Sequence, residues 1–127
     1  MNTTRLLAGA LLTAAVAVPA LPAAANEDDV IRRGSCSGST DWKLKGSPED
    51  GRIEVEGEID SNRNGQRWRW RLRHNGSLSD RGSRTTRAPS GSFEVRRVVV
   101  NLRGTDKLLF RATNPASGET CRGVVNF

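Results

Sequence analysis

The chain has no tyrosine, one histidine, one methionine and two cysteines. Each scarcity removes a chemistry. His74 stands inside an Asn-Gly turn signal. A Ser-His-Asp triad needs its histidine held by an acid and aimed at a nucleophile. Ser77 and Asp80 are near in sequence, but neighbours on one tight turn rarely reach that geometry, so His74 reads as a polar turn residue. No catalytic residue is assigned, and the chain is not expected to be an enzyme. Two cysteines and one distant histidine do not make a zinc set. Neither cysteine lies in a C-x-x-C or beside histidine, so reactive thiols are set aside as well. No cofactor motif and no metal set are expected. After the amino-terminal stretch no apolar run approaches the roughly 20 residues of a membrane helix, so no span is expected.

What is present begins with export. "MNTTRLLAGALLTAAVAVPALPAAAN" carries a basic Arg5, an apolar run over residues 6–18, and Ala23 and Ala25 in an A-x-A spacing. This is the pattern of a secretory signal peptide over residues 1–25. Cleavage one residue earlier fits nearly as well. Removing Arg5, the only charged residue in the segment, takes the formal net charge from +6 to +5. The remaining chain of about 100 residues supports one domain with one modest core. Lys43, Lys45 and Lys107 are the only lysines, so nearly all the cations are arginine. In an oxidising compartment Cys36 and Cys121 read as a disulfide. The loop it closes is worth about 4–5 kcal/mol by chain entropy, before any strain.

"NEDDVIRRG" lacks a period, and residues 26–34 are expected to be a flexible leader before a β domain over residues 35–127. From there on the signal is strand. "RIEVEGEID" alternates strictly, with Ile53, Val55, Gly57 and Ile59 on one side and Glu54, Glu56 and Glu58 on the other. "RWRWRLRH" sets Trp68, Trp70 and Leu72 against Arg67, Arg69, Arg71 and Arg73. "HNG" is a hairpin signal. "SLSDRGSRTTRAPSG" suggests a short edge strand and a loop through Pro89. "SFEVRRVVVNL" breaks phase, which a β-bulge near Arg96 and Arg97 would repair. "LLFRATNPASGETCRGVVNF" reads as a closing hairpin. About seven short strands with regular turns predict a single immunoglobulin-like antiparallel β-sandwich, the disulfide tying its first strand to its last. Asp106-x-Leu108-x-Phe110-x-Ala112 is loosely similar to the entry of the sixth strand of such domains, with Phe110 where a cysteine often sits. The phrases "CSGSTDWKLKGSPEDGRIEVEGEID", "NRNGQRWRW", "RAPSGSFEVRR" and "GETCRG" resemble those of small exported β-domain proteins of actinobacteria of uncharacterised function. The resemblance covers the whole mature chain. It implies one exported β domain and supplies no functional residues.

Three local patterns carry candidate chemistry. Glu54, Glu56 and Glu58 stand about 7 Å apart in successive pairs along a strand. A glycosidase needs a cleft as well, so a solvated strand face is preferred. Asp60-x-Asn62-x-Asn64-Gly65 matches the opening of a calcium loop, but Arg71 stands where the bidentate glutamate belongs, and the same residues are good turn formers. The arginines are the third pattern. Arg67, Arg69, Arg71 and Arg73 share a face, and Arg111 and Arg122 join them if their strands are neighbours. Six forked donors on one face suit phosphate, sulfate or carboxylate.

Topology decides whether that face is free. If the glutamate and arginine strands pair as a hairpin, Glu54, Glu56 and Glu58 neutralise it. In an immunoglobulin-like order the two strands lie in opposite sheets, and the glutamates meet Arg96 and Arg97. The latter order is adopted. The expected function is a secreted, non-catalytic domain contacting an acidic polymer or protein surface through its arginines, with no specific nucleic-acid partner and no oligomeric state assigned. The alternative is inhibition of a secreted hydrolase through the loop "SDRGSRTTRAPSG".

Overall fold

In strands of strict alternation, every second side chain must leave water together, and two such faces can bury each other. In the computed structural model, which describes residues 14, 15, 17 and 27–127, they do so. The expected signal peptide over residues 1–25 falls almost wholly outside the described residues. Eight strands form: β1 (Val30–Ser35), β2 (Asp41–Glu49), β3 (Arg52–Asp60), β4 (Arg67–His74), β5 (Ser77–Thr85), β6 (Ser92–Val100), β7 (Lys107–Thr113) and β8 (Thr120–Asn126). They make two antiparallel four-stranded sheets, ordered β1-β2-β3-β6 and β5-β4-β7-β8. The sheets share one core. Leu44, Ile53, Val55, Ile59, Phe93 and Val95 come from the first, and Trp68, Trp70, Leu72, Leu108, Phe110 and Val125 from the second.

Two sequence expectations are corrected. The stretch read as a flexible leader is a strand from Val30 onward, which brings the count to eight rather than seven. It pairs with β2 from Val30↔Gly46 to Ser35↔Asp41, and Val30 packs against the core. The bulge expected near Arg96 and Arg97 is absent, because β6 pairs with β3 without a register shift. Arg97 simply takes an inward position at the sheet edge, and Val98 and Val100 stand outward in water. The real bulge lies between Leu72 and Arg73 on the pairing with β5, where Leu72 faces Asp80 and Arg73 faces Leu78.

The two open sides of the sandwich are closed differently. On one, Cys36 and Cys121 form a disulfide with Cα atoms 4.3 Å apart, joining the end of β1 to β8. Ser37 N donates to Thr120 O at 2.9 Å beside it. The half-buried Trp42 indole fills the same seam between Gly34 and Gly123. A Cβ at either glycine would come within 2.7 Å of the ring. On the other side, between β5 and β6, Arg97 Nε donates to Asp80 Oδ2 at 2.6 Å. The same guanidinium sits 4.9 Å from the Trp70 ring centroid, a cation–π contact that covers the indole.

Two stability outcomes follow. The bridge spans 85 residues, so replacing both cysteines with alanine is expected to lower unfolding free energy by about 4 kcal/mol in urea titration. Gly57 lies under Phe110, where a Cβ would come 2.8 Å from the ring. Gly57→Ala is therefore expected to cost about 1–3 kcal/mol by the same measurement.

A candidate anion-binding face

β4 is an inner strand of the second sheet, and its alternation sets both surfaces of that sheet. Trp68 and Trp70 are 0% and 2% exposed, while Arg67, Arg69 and Arg71 are exposed on the opposite side. The neighbours extend the outer surface in register. Arg71 faces Arg81 on β5 and Arg111 on β7, and Arg111 faces Arg122 on β8. Four arginines thus stand abreast across four strands, spanning about 14–15 Å at the usual strand spacing. Arg67, Arg69, Arg71 and Arg73 run along β4 at right angles, and Arg71 is shared by both lines.

All six arginines expected from the sequence are on this face, and Arg81 joins them. Sequence reasoning missed Arg81 because the stretch around it is polar and glycine-marked. Parity counted from the "HNG" turn would set Arg81 opposite Trp70; only the bulge between Leu72 and Arg73 brings it opposite Arg71 on the outer face. Arg73 is the least free of the set, its Nη1 donating to Gly76 O at 3.2 Å. Among the described residues none of the seven makes a salt bridge. No carboxylate occupies an outward position on β4, β5, β7 or β8. Asp80 faces inward toward Arg97, and Glu119 is turned to the other sheet. Glu119 accepts Thr40 Oγ1 at 2.5 Å and Thr40 N at 3.1 Å. A shallow groove of about 350 Å³ lies between Arg69, Arg71 and Arg111, with Thr113 and Pro115 on its wall.

The glutamates are on the other sheet. Glu56 and Arg69 belong to strands that never pair. Arg96 Nη2 donates to Glu54, and Glu49 lies 3.7 Å from the same nitrogen. Lys45 is 3.2 Å from Glu56, and Lys43 is 3.7 Å from Glu58. The expectation that Arg97 would share these glutamates is corrected, since its partner is Asp80. The Arg96 hydrogen bond, reinforced by one from Glu49, holds the Glu54 carboxyl down at about 2. Burial, then the charges of Glu56 and Glu58, pushes Glu94 up. The outer surface of the first sheet is therefore a mixed and internally paired lattice. The outer surface of the second carries one sign.

The remaining candidates resolve into structural roles. His74 is more than a turn residue: its Nε2 lies 2.5 Å from Oδ1 of the fully buried Asp106, which also accepts Leu102 N at 3.2 Å. The combination of Ser77, His74 and Asp80 is not assembled, because Asp80 belongs to Arg97. Asp60 Oδ1 accepts Asn62 N at 3.1 Å, and Asn62 has φ 57°, so the calcium-like phrase forms a turn capped by its own aspartate. In the loop considered for inhibition, the stretch up to Thr85 is strand β5. Thr86 is buried, donating to Arg63 O at 2.5 Å and accepting Gln66 N at 2.9 Å. Arg87 and Ser92 pair across the short tip. Comparison with protein-family models, curated proteins and solved structures returns no match.

The charge lattice on the first sheet gives a pH prediction. A carboxyl held near 2, below the ordinary 4.5, adds stability above the ordinary value and loses it as pH falls through about 2. Glu94 has the opposite sign: its raised carboxyl weakens the fold when ionised, and protonation relieves this. Glu54→Gln is expected to lower the melting temperature at neutral pH and flatten its fall between about pH 5 and 2. Glu94→Gln is expected to raise the neutral-pH melting temperature. An unchanged acid profile in the Glu54 variant would count against the Arg96 pairing.

Proposed function

We propose that this protein is an exported, non-catalytic binding domain of immunoglobulin-like type. In this reading it holds anionic groups on the arginine face of its second sheet. The crossing pattern supports the immunoglobulin-like assignment. The chain changes sheets from β3 to β4, β5 to β6 and β6 to β7, while β4–β5 and β7–β8 are hairpins and β6 returns beside β3. β1 is then an addition outside the usual set. The disulfide agrees with an oxidising compartment, and the resemblance to small exported β-domain proteins points the same way.

One observation carries the binding reading: the row Arg81–Arg71–Arg111–Arg122 has no internal counter-charge. Like charges directly opposite each other across strands are destabilising, and cross-strand pairs are worth about 0.2–1 kcal/mol each. A fold gains nothing from three such contacts in succession. The first sheet also has like charges face to face, at Arg33↔Lys43, Asp41↔Asp60 and Glu58↔Glu94, but there the Lys43–Glu58 ion pair stands between the like-charged ends of the row, and no such pair stands within the arginine row. A local conflict of this kind, left without compensation, marks a surface kept for a partner. Arginine suits the task, because its planar fork donates two parallel hydrogen bonds to phosphate, sulfate or carboxylate. The buried tryptophans leave no aromatic on the face to stack a base or a sugar, so recognition rests on charge and not on sequence.

Replacing Arg71, Arg81, Arg111 and Arg122 together with glutamine is expected to abolish retention on a sulfated-polysaccharide matrix at low salt. The melting temperature is expected to stay level or rise as the repulsion goes. A control variant with the same charge loss, at Arg32, Arg33, Arg52 and Arg63, is expected to stay bound. Equal retention of the two variants would reduce the interaction to net charge and remove the site.

A further inference from the structure

At the end of the sandwich opposite the His74 turn, three loops meet: residues 36–40 between β1 and β2, 61–66 between β3 and β4, and 114–119 between β7 and β8. They enclose a cleft of about 370 Å³, which falls within the size range of small-molecule sites. None of the residues lining it carries an apolar side chain. They are serine, threonine and glycine, with one glutamine, one arginine and one glutamate. The usual small-molecule site is the reverse, mainly apolar with a few polar groups.

The polar groups are held in place by the protein itself. Glu119 reaches from the β7–β8 loop to the β1–β2 loop, where its carboxylate accepts Thr40 N at 3.1 Å and Thr40 Oγ1 at 2.5 Å. Thr40 is 1% exposed, and a Cβ on Gly38 would collide with the same carboxylate, so only a glycine lets the loop close over it. Ser37 Oγ accepts Thr120 N at 2.9 Å, and Ser117 Oγ accepts Glu119 N at 3.2 Å. Each of these hydroxyls is oriented by the N–H it accepts and keeps its own proton to donate. Ser39 and Arg63 stand exposed at the cleft, and neither side chain has a partner among the described residues. The disulfide ties two of the loops at their bases, Cys36 next to Ser37 and Cys121 next to Thr120. The buried Asn114 shapes the β7–β8 loop, its Oδ1 accepting Ala116 N and Ser117 N. A ligand therefore meets donors and acceptors already ordered, which favours binding.

We propose that this cleft binds a neutral saccharide through its hydroxyl groups. A sugar hydroxyl both donates and accepts, and the cleft offers both partners. The Glu119 carboxylate accepts, while Ser37, Ser39, Ser117 and Arg63 donate. Charge selects against ions of either sign, since an anion meets Glu119 and a cation meets Arg63. An apolar ligand would strip water from these groups and return no hydrogen bond. No aromatic side chain lines the cleft to stack on a ring, so contact is by hydrogen bonds and affinity is modest. The inference is separate from the arginine-face reading, whose guanidiniums lie on the outer surface of the second sheet. The β7–β8 loop walls both, with Pro115 on the arginine groove and Ser117 and Glu119 on the cleft.

The test is an amide-resolved NMR titration of the protein with maltose, cellobiose, lactose and diacetylchitobiose at millimolar concentration, with glycerol as the control that has hydroxyls but no ring. At least one disaccharide is expected to shift the amides of Ser37, Ser39 and Ser117 saturably while leaving those of Arg71 and Arg81 in place. Because the contact is with an uncharged ligand, the titration should be the same at low and high salt, unlike retention on a polyanion. The double variant Ser39→Ala, Arg63→Ala removes donors that hold nothing within the protein. It is expected to keep its melting temperature and to bind the same disaccharide about tenfold more weakly. Absence of saturable shifts with every disaccharide overturns the inference and leaves the arginine face standing. Shifts that glycerol matches at equal hydroxyl concentration, shifts confined to the arginine strands, or full affinity in the double variant overturn it as well.

Discussion

The side-to-side alternation of β4 is the constraint on which the rest depends. A one-residue slip in its register would turn Trp68, Trp70 and Leu72 to water and four guanidiniums into the core. Several contacts hold the register against that. Trp70 lies over Gly82 on one neighbour, where a Cβ would come within 3.0 Å of the indole. On the other neighbour it pairs with Ala112, which pairs in turn with the disulfide residue Cys121. One transverse row therefore links the indole, a small spacer and the covalent staple. The next outward row carries the four arginines. Core and face are the two sides of a single periodic pattern.

The pattern was readable where it was strict. β3 and β4 announce themselves by period two, and the phases of both sheets follow from their tryptophan, isoleucine and arginine positions. The pairing of cysteines was readable from number and compartment. What escaped was decided by edges. Arg97 occupies an inward position that parity assigns to an apolar side chain. It can do so only because the sandwich is open there and offers both Asp80 and an indole face. No local sequence signal reports that opening, so the phase of β6 looked broken. β1 escaped for a related reason: its pairing with β2 and the glycine gap that admits Trp42 are long-range facts. Arg81 escaped because the bulge between Leu72 and Arg73 reverses the parity counted from the hairpin turn.

The two sheets arrange similar charged residues differently, the first mixing signs and the second keeping one. On the first, Glu54, Glu56 and Glu58 are matched by Arg96, Lys45 and Lys43, and the carboxyl most strongly held is pulled to about 2. On the second, cations stand beside cations. Composition alone cannot distinguish these arrangements, since both follow from the same basic total. The separation of β3 from β4 into different sheets makes the difference. A hairpin between them would have cancelled the arginine face against the glutamates and left an unremarkable surface.

That separation also explains why a strong staple and an unpaired face occur together. Three adjacent like-charge contacts of about 0.2–1 kcal/mol each weaken the second sheet by up to roughly 3 kcal/mol. A loop of 85 residues closed by a disulfide returns about 4–5 kcal/mol, and it acts on the unfolded chain, so salt does not touch it. The repulsion, by contrast, is screened within about 10 Å at 0.1 M salt, as is any attraction to an anionic surface. Strain on this face, and the binding proposed for it, therefore weaken together as ionic strength rises, while the staple stays constant. A domain stabilised covalently at one edge can carry an electrostatically frustrated sheet at low salt, where that sheet would bind most tightly. A domain held only by surface ion pairs would weaken as those pairs were screened, and could not keep such a face in reserve across changing ionic conditions.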